Sequence, residues 1–376
     1  GVDVNPNIVR TVNQGQIHII EPDLDLAVAD AVACGTLSAQ QTPTSADVFL
    51  IAVPTPFHTN PEGIPQPNIE YVLAAARSIS PFLRPGNLVL LESTSPVGTT
   101  NKVADVIAES SGLSFDQIHI AYCPERVLPG HILEELITNA RVIGGLTPVA
   151  AELGKAFYSR FCKGELITTN ARTAELVKLV ENSFRDVNIA FANEISLVCD
   201  GLDINVRELI ILANKHPRVN MLKPGCGVGG HCIAVDPWFI AAESPDCTPL
   251  IQTARRVNDG KSRWVIEQVQ ARAAALEDHL GRPARIGCFG LAFKPDVDDL
   301  RESPALHITT ELLVADLEVL VCEPNLRDHP TIKLHTLDQV LSDADLLVFL
   351  VAHTPFRSLD LTGRTIFDLC GVTEQA

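Results

Sequence analysis

The sequence predicts an α/β protein with two doubly wound, Rossmann-like domains joined by a central helical region that contains one long helix. Three observations lead there. Short β-branched runs alternate with helical patterns at 47–53, 88–92, 118–122, 141–145 and 165–168, and such alternation is the pattern of a mostly parallel sheet covered by helices. From Thr173 to about Cys199, apolar and polar residues alternate with no glycine or proline, which reads as one long helix. After Gly281-Arg282-Pro283 the strand-like runs return at 285–290, 318–322, 346–352 and 365–368, a second and smaller set of the same kind. The expected boundaries are therefore 1–170, 171–280 and 281–376.

The first residues, Gly1 to Pro6, read as the end of a strand. Asp3 then stands where dinucleotide-binding folds place the acid that hydrogen-bonds a ribose hydroxyl. Read alone, the same residue equally begins a turn or caps the next helix. A strand and a Gly-x-Gly-x-x-Gly turn should precede it, so about 20 to 30 residues of that motif are expected to be missing at the amino end. Helical patterns at 207–215 and 253–280 make the middle section helical.

At 376 residues the chain is long enough for two or three domains, and 46% hydrophobic with 20% charged residues is an ordinary globular balance. The net charge of −17 argues against nucleic-acid or anionic-membrane partners, which it would repel. An anionic ligand must be met by local positive charge. Ten cysteines without a paired framework suit a reducing cytosol, hence a cytoplasmic protein. The longest apolar runs, such as 346–352, fall well short of the ~20 residues that span a bilayer.

The run Lys223 to Trp238 says most about chemistry. Cys232 ends a loop with four glycines, Gly225, Gly227, Gly229 and Gly230, which leave backbone where side chains would stand and so open a thiol to a bulky substrate. Asp236 follows four residues later, near enough to hold a water or a proton beside the same centre. Against this, a free cysteine is most often a small buried hydrophobe. Zinc is a further alternative, through Cys226, His231 and Cys232, but no second pair at ligand spacing accompanies them. Lys178 and Asn182, four apart on the long helix, share one face and could converge on one oxygen; such a pair is ordinarily a solvated stripe. Gly287-x-x-Gly290 is weak evidence of phosphate binding alone. Lys294, Arg301 and the polar loop between them add positive charge that suits a diphosphate, although such loops are usually only solvated.

Three stretches, Gly225 to Asp236, Ala174 to Asn182 and Gly290 to Pro304, together resemble the UDP-glucose/GDP-mannose dehydrogenase family, and the resemblance covers nearly the whole chain. It implies an NAD-binding part (1–170), a central dimerisation part (171–280) and a UDP-sugar-binding part (281–376). It also implies oxidation of the C6 hydroxymethyl group of a nucleotide sugar to a carboxylate, with two NAD and one water. Carried over by motif, Cys232 would capture the aldehyde as a thiohemiacetal that is oxidised to a thioester. Lys178 and Asn182 would stabilise the C6 oxygen, and Asp236 and Glu125 would order or activate the hydrolytic water. Asp3, Thr55 and Thr94 match cofactor positions. Lys294 and the loop to Arg301 match the part that closes over the UDP-sugar, and Arg218 resembles an arginine reaching the substrate from a neighbouring subunit, so a homodimer or higher homo-oligomer is expected.

Within the family, 123–130, 216–220 and 230–239 are most similar to members that oxidise UDP-N-acetyl-D-mannosamine. The expected product is the corresponding uronate, a precursor of bacterial surface polysaccharide. Glucose-specific members carry an additional acid where this chain has Pro129-Gly130, which points to a 2-acetamido sugar. Around 367–371 the basic residue that many members have after the acid is absent. The competing readings are the same chemistry on UDP-N-acetylglucosamine or UDP-glucose, a one-step hydroxyacid dehydrogenase, and a nucleotide-sugar-binding fragment without turnover.

Overall fold

A computed structural model describes residues 1–17, 21, 23–58, 63–114, 116–128 and 130–373. Pro129, singled out above, lies outside the described residues. The chain forms two units, one made of Gly1–Val180 with Trp238–Glu243 and the other of Glu181–Pro237 with the chain from Ser244 onward.

In the first unit, α1 (Pro6–Asn13) starts where Asn5 accepts the Asn7 N–H and Pro6 opens the first turn. The expected strand end at Gly1–Asp3 amounts to one isolated bridge between Val2 and Gln40. After α2 (Leu24–Ala33) come β1 (Val48–Ile51), the short antiparallel pair β2 (Phe57–His58) and β3 (Gln66–Pro67), α3 (Glu70–Ile79), β4 (Leu88–Leu91), α4 (Thr99–Ser111), β5 (His119–Tyr122), α5 (Ile132–Thr138), β6 (Arg141–Gly145), α6 (Pro148–Tyr158) and β7 (Leu166–Asn170). The sheet order is β1-β4-β5-β6-β7, parallel except where β5 meets β6. All four residues of β4 are buried, as an interior strand covered on both faces requires. One face receives Val72 and Ala76 of α3 with Val103 and Ile107 of α4. On the other, Tyr158 of α6 closes over Leu88, Leu90 and Ile143.

The long helix, α7, runs from Ala171 to Gly201, two residues beyond the expected span at each end. It is followed by α8 (Val206–Ala213), α9 (Asp236–Glu243) and α10 (Pro249–Leu280). The second unit's sheet is built from β8 (Ile286–Phe289), β9 (Val319–Cys322), β10 (Leu346–Phe349) and β11 (Thr365–Asp368), in the order β11-β10-β8-β9 and wholly parallel. Helix α11 (Pro304–Val314) and α10 cover one face through Ile308, Leu312, Val265 and Val269. Helix α12 (Leu337–Asp343) covers the other, where Phe289 and Phe349 stack at 4.5 Å. Gly287 lies inside β8, and a Cβ there would stand 2.6 Å from Val340. The missing side chain lets α12 pack closely on the sheet. Among the described residues no helix is long and apolar enough to cross a membrane.

Candidate active site

In the second unit the glycines before Cys232 do something other than expose the thiol. A Cβ on Gly229 would stand 2.4 Å from the Glu302 carbonyl oxygen and 2.7 Å from Pro304, and one on Gly230 would stand 2.8 Å from the Phe293 ring. Gly227 is closed in at 2.9 Å by Pro304 and Ser262. The reading of these positions as space for substrate is therefore corrected. They let the Cys232 loop lie directly on the loop between β8 and α11, an approach that any side chain would block. The Gly230 N–H donates to the Arg301 carbonyl at 3.0 Å and fastens the two together.

Cys232 is half-buried. Its carbonyl accepts the N–H groups of Val235 and Asp236, at 3.0 and 2.8 Å, a turn that sets Asp236 as the first residue of α9. Asp236 is only 2% exposed, and its Oδ2 accepts from Asn182 Nδ2 of α7. Asn182 thus orients an acid with one of its two amide hydrogens. No group of three His, Cys, Asp or Glu able to hold a metal occurs among the described residues.

Arg301 grips both oxygens of Asp299, with Nε to Oδ1 at 2.9 Å and a terminal nitrogen to Oδ2 at 2.5 Å. This bidentate pair, against burial, raises the guanidinium's pKa, and the nearby Cys232 adds to it. A cation, itself paired with Asp299, is therefore within electrostatic reach of the thiol. Lys294, on the same loop, is half-buried. Behind this loop the Glu323 carboxylate accepts the Leu291 and Ala292 N–H groups, at 2.7 and 3.1 Å, and His353 Nε2 at 3.0 Å. His353 Nδ1 accepts the Asp296 N–H at 2.9 Å, which assigns the ring proton to Nε2. Burial opposes ionisation of Glu323, but the bonds from His353, Leu291 and Asn325 outweigh it and hold the carboxyl below its ordinary pKa.

In the first unit, Thr55 and Thr94 meet. Thr55 Oγ1 donates to the Thr94 carbonyl at 2.6 Å, beyond the carboxyl ends of β1 and β4, where doubly wound sheets bind ligands. Asp3 Oδ1 accepts the Asn5 N–H at 2.7 Å, so this carboxylate begins a turn and keeps Oδ2 for a hydroxyl. The amino end of α4 is satisfied from within the protein. Glu175 of α7, wholly buried, accepts the Gly98 and Thr100 N–H groups and the Thr100 hydroxyl at 2.6 to 2.7 Å. Burial raises its pKa against those bonds. Glu125 is partly exposed. It accepts the Arg126 N–H at 2.7 Å on one oxygen and pairs with the buried Arg141 at 3.3 Å on the other. Lys178, half-buried on the first-unit part of α7, makes no ion pair among the described residues.

Arg218 belongs to the second unit. It is exposed in the turn after α8, where its N–H donates to His216 Nδ1 at 3.3 Å. Arg141, Glu175 and the Glu323–His353 pair were not identified from sequence. A charge at the start of an otherwise apolar strand was the available signal for Arg141. Arg207 was also missed, yet it pairs with Asp368 at 3.8 Å and so brings a guanidinium to the segment that lacks its own basic residue.

Two doubly wound sheets, one with polar groups gathered at its strand ends and one carrying a thiol loop seated on a polar loop that holds Lys294 and Arg301, form the framework of a dinucleotide-dependent dehydrogenase. Models of the NAD-binding, central and UDP-binding domains of UDP-glucose/GDP-mannose dehydrogenases match residues 1–162, 172–260 and 287–375. The chain belongs to this family of NAD-dependent oxidoreductases. It is 53% identical to the UDP-N-acetyl-D-mannosamine dehydrogenase of Yersinia pestis, over 99% of this chain and 92% of that one. It is 50% identical to the NDP-N-acetyl-D-galactosaminuronic acid dehydrogenase of Ralstonia nicotianae, over 99% and 90%. A solved UDP-D-ManNAc dehydrogenase from Pyrococcus horikoshii superposes with a TM-score of 0.91 at 35% identity, over 100% of this chain and 90% of that one.

Proposed function

We propose that the chain oxidises UDP-N-acetyl-D-mannosamine at C6 to UDP-N-acetyl-D-mannosaminuronate in the cytoplasm, through parts at 1–170, 171–280 and 281–376. The observation that carries this reading is the Cys232 loop seated on the 290–304 loop, with Asp236 oriented by Asn182 and Arg301 near the thiol. NAD, when bound, supplies two successive hydride acceptors. Asp3, Thr55 and Thr94 would hold it, and the fit rests on the free Oδ2 of Asp3 and the joined strand ends of β1 and β4.

Cys232 adds to the C6 aldehyde, forming a C–S bond, and loss of a second hydride leaves a thioester. Covalent capture keeps the aldehyde from escaping between steps. Lys178 and the second N–H of Asn182 stabilise the negative oxygen at C6. Water then attacks the thioester carbon, its proton passes to Glu125 or Asp236, and the C–S bond breaks to free the thiol. Lys294 and Arg301 meet the diphosphate. Arg218 serves the site of a second copy, in a homodimer supported by Phe184, Phe191 and Val198, exposed at seven-residue spacing on α7.

The test counts NADH per sugar. Two NADH per UDP-N-acetyl-D-mannosamine, with at most trace acid from UDP-N-acetylglucosamine or UDP-glucose, is the expected result, and Cys232→Ser forms no acid. One NADH per sugar, or normal acid production by Cys232→Ser, excludes the thioester route. A 50%-identical relative named for a galactosaminuronic acid makes that diastereomeric series the second reading, and its nucleotide sugar belongs in the same assay. Light scattering should return twice the chain mass of 40.6 kDa. A monomer that still turns over would remove Arg218 from the site.

A further inference from the structure

Resting on the assignment of Glu125 to the hydrolytic water, we infer that Arg141 is the positioning residue that aims this carboxylate. Arg141 opens β6 and is 3% exposed. Its guanidinium lies 4.8 Å over the Tyr158 ring and 5.8 Å from the Phe161 ring, with one terminal nitrogen 4.0 Å from Cys123 Sγ and the other 3.3 Å from Glu125 Oε2. Tyr158 is itself fixed, because its hydroxyl donates to Glu92 Oε1 at 2.6 Å. A chain of contacts thus runs from the partly buried Glu92 through Tyr158 and Arg141, both buried, to the partly exposed Glu125.

Stability alone does not explain this arrangement. An apolar residue at position 141 would avoid desolvating a charge, and Arg141 Nε has no hydrogen-bond partner among the described residues. The arrangement does fix a side chain. One oxygen of Glu125 is held by the Arg126 N–H and the other by Arg141, so the carboxylate is oriented without being buried. In the hydrolytic step the water oxygen bonds to the thioester carbon, its proton passes to Glu125, the C–S bond breaks and Cys232 leaves as thiolate. A base displaced by about 1 Å loses about 100-fold in such a step.

The experiment compares wild type, Glu125→Gln, Arg141→Gln and Arg141→Lys as full-length enzymes with NAD and UDP-N-acetyl-D-mannosamine. It reads kcat, KM and, by acid quench and intact mass, the acyl adduct on Cys232. Arg141→Gln should lower kcat about 100-fold, keep KM within about two-fold and accumulate the same adduct as Glu125→Gln. Arg141→Lys, which keeps the charge but loses the fork, should recover about ten-fold. A folded Arg141→Gln with wild-type turnover and no adduct, while Glu125→Gln traps it, overturns the role of Arg141. Absence of adduct in Glu125→Gln itself instead overturns the assignment of Glu125, and this inference with it. If Arg141→Gln does not fold, Arg141→Lys decides: trapped adduct supports the role and wild-type kinetics overturn it.

Discussion

Arg141 in the first unit and Lys261 in the second are both 3% exposed, yet their environments act on them in opposite directions. Burial lowers the pKa of each. For Arg141 the facing Glu125, joined by Cys123 and Tyr158, outweighs burial, and the guanidinium becomes harder to deprotonate. Lys261 has a hydroxyl, Ser196 Oγ at 2.8 Å, and the Trp264 ring at 3.8 Å. Neither carries a formal charge, and burial brings the ammonium down to about 8. Arg255, also 3% exposed in the second unit, likewise faces carboxylates, the wholly buried Asp186 at 2.7 Å and Asp259. The difference teaches that burial depth does not decide whether a charge persists. The partner does, because a carboxylate offsets desolvation where a dipole or a ring does not.

Removing a carboxylate partner is the strongest way to break this comparison. Asp186→Ala leaves Arg255 desolvated with only Asp259 and strips Asn258 of an acceptor, and should cost about 3 to 5 kcal/mol in urea unfolding. A loss below about 1 kcal/mol would mean that Asp259 alone suffices. Next in size is the pH dependence of Lys261. Its folded pKa lies below the unfolded value of 10.5, so the unfolded chain holds more protons between about pH 8 and 10.5. Raising the pH through that window therefore favours the folded state. Between pH 8 and 10 the wild type should gain about 2 kcal/mol relative to Lys261→Met. The variant serves as reference because thiols raised by burial, such as Cys123 to about 11, act oppositely above pH 9. Parallel profiles for the two proteins would show Lys261 titrating normally. The smallest effect sharpens the contrast: Ser196→Ala removes the hydroxyl that accepts from the Lys261 ammonium and donates to the Asn193 carbonyl, and should cost about 1.5 kcal/mol at pH 7, against the larger loss at Asp186.

The strands of both sheets were readable because each is a short apolar run bounded by turn residues, and 141–145 and 365–368 coincide with the observed elements. The long helix was readable for the complementary reason, an uninterrupted pattern without glycine or proline. Motif residues such as Cys232 and Asp236 were legible because they are close in sequence. Pairings across long separations were not. Asn182 reaches Asp236 across 54 positions, Glu175 reaches Thr100 across 75, and Glu323 meets His353 across 30.

The loop glycines show the same limit from the other side. Their spacing announced a place where backbone must come close, but only the fold supplied what approaches, namely Phe293, Glu302 and Pro304 rather than open space. By itself the sequence determined the elements, the family and the chemical types available, because periodicity and motif spacing are local properties of the chain. The tertiary structure alone decided which charges are paired. Long-range packing brings a particular carboxylate, hydroxyl or ring to each buried cation, and that partner sets both protonation and orientation.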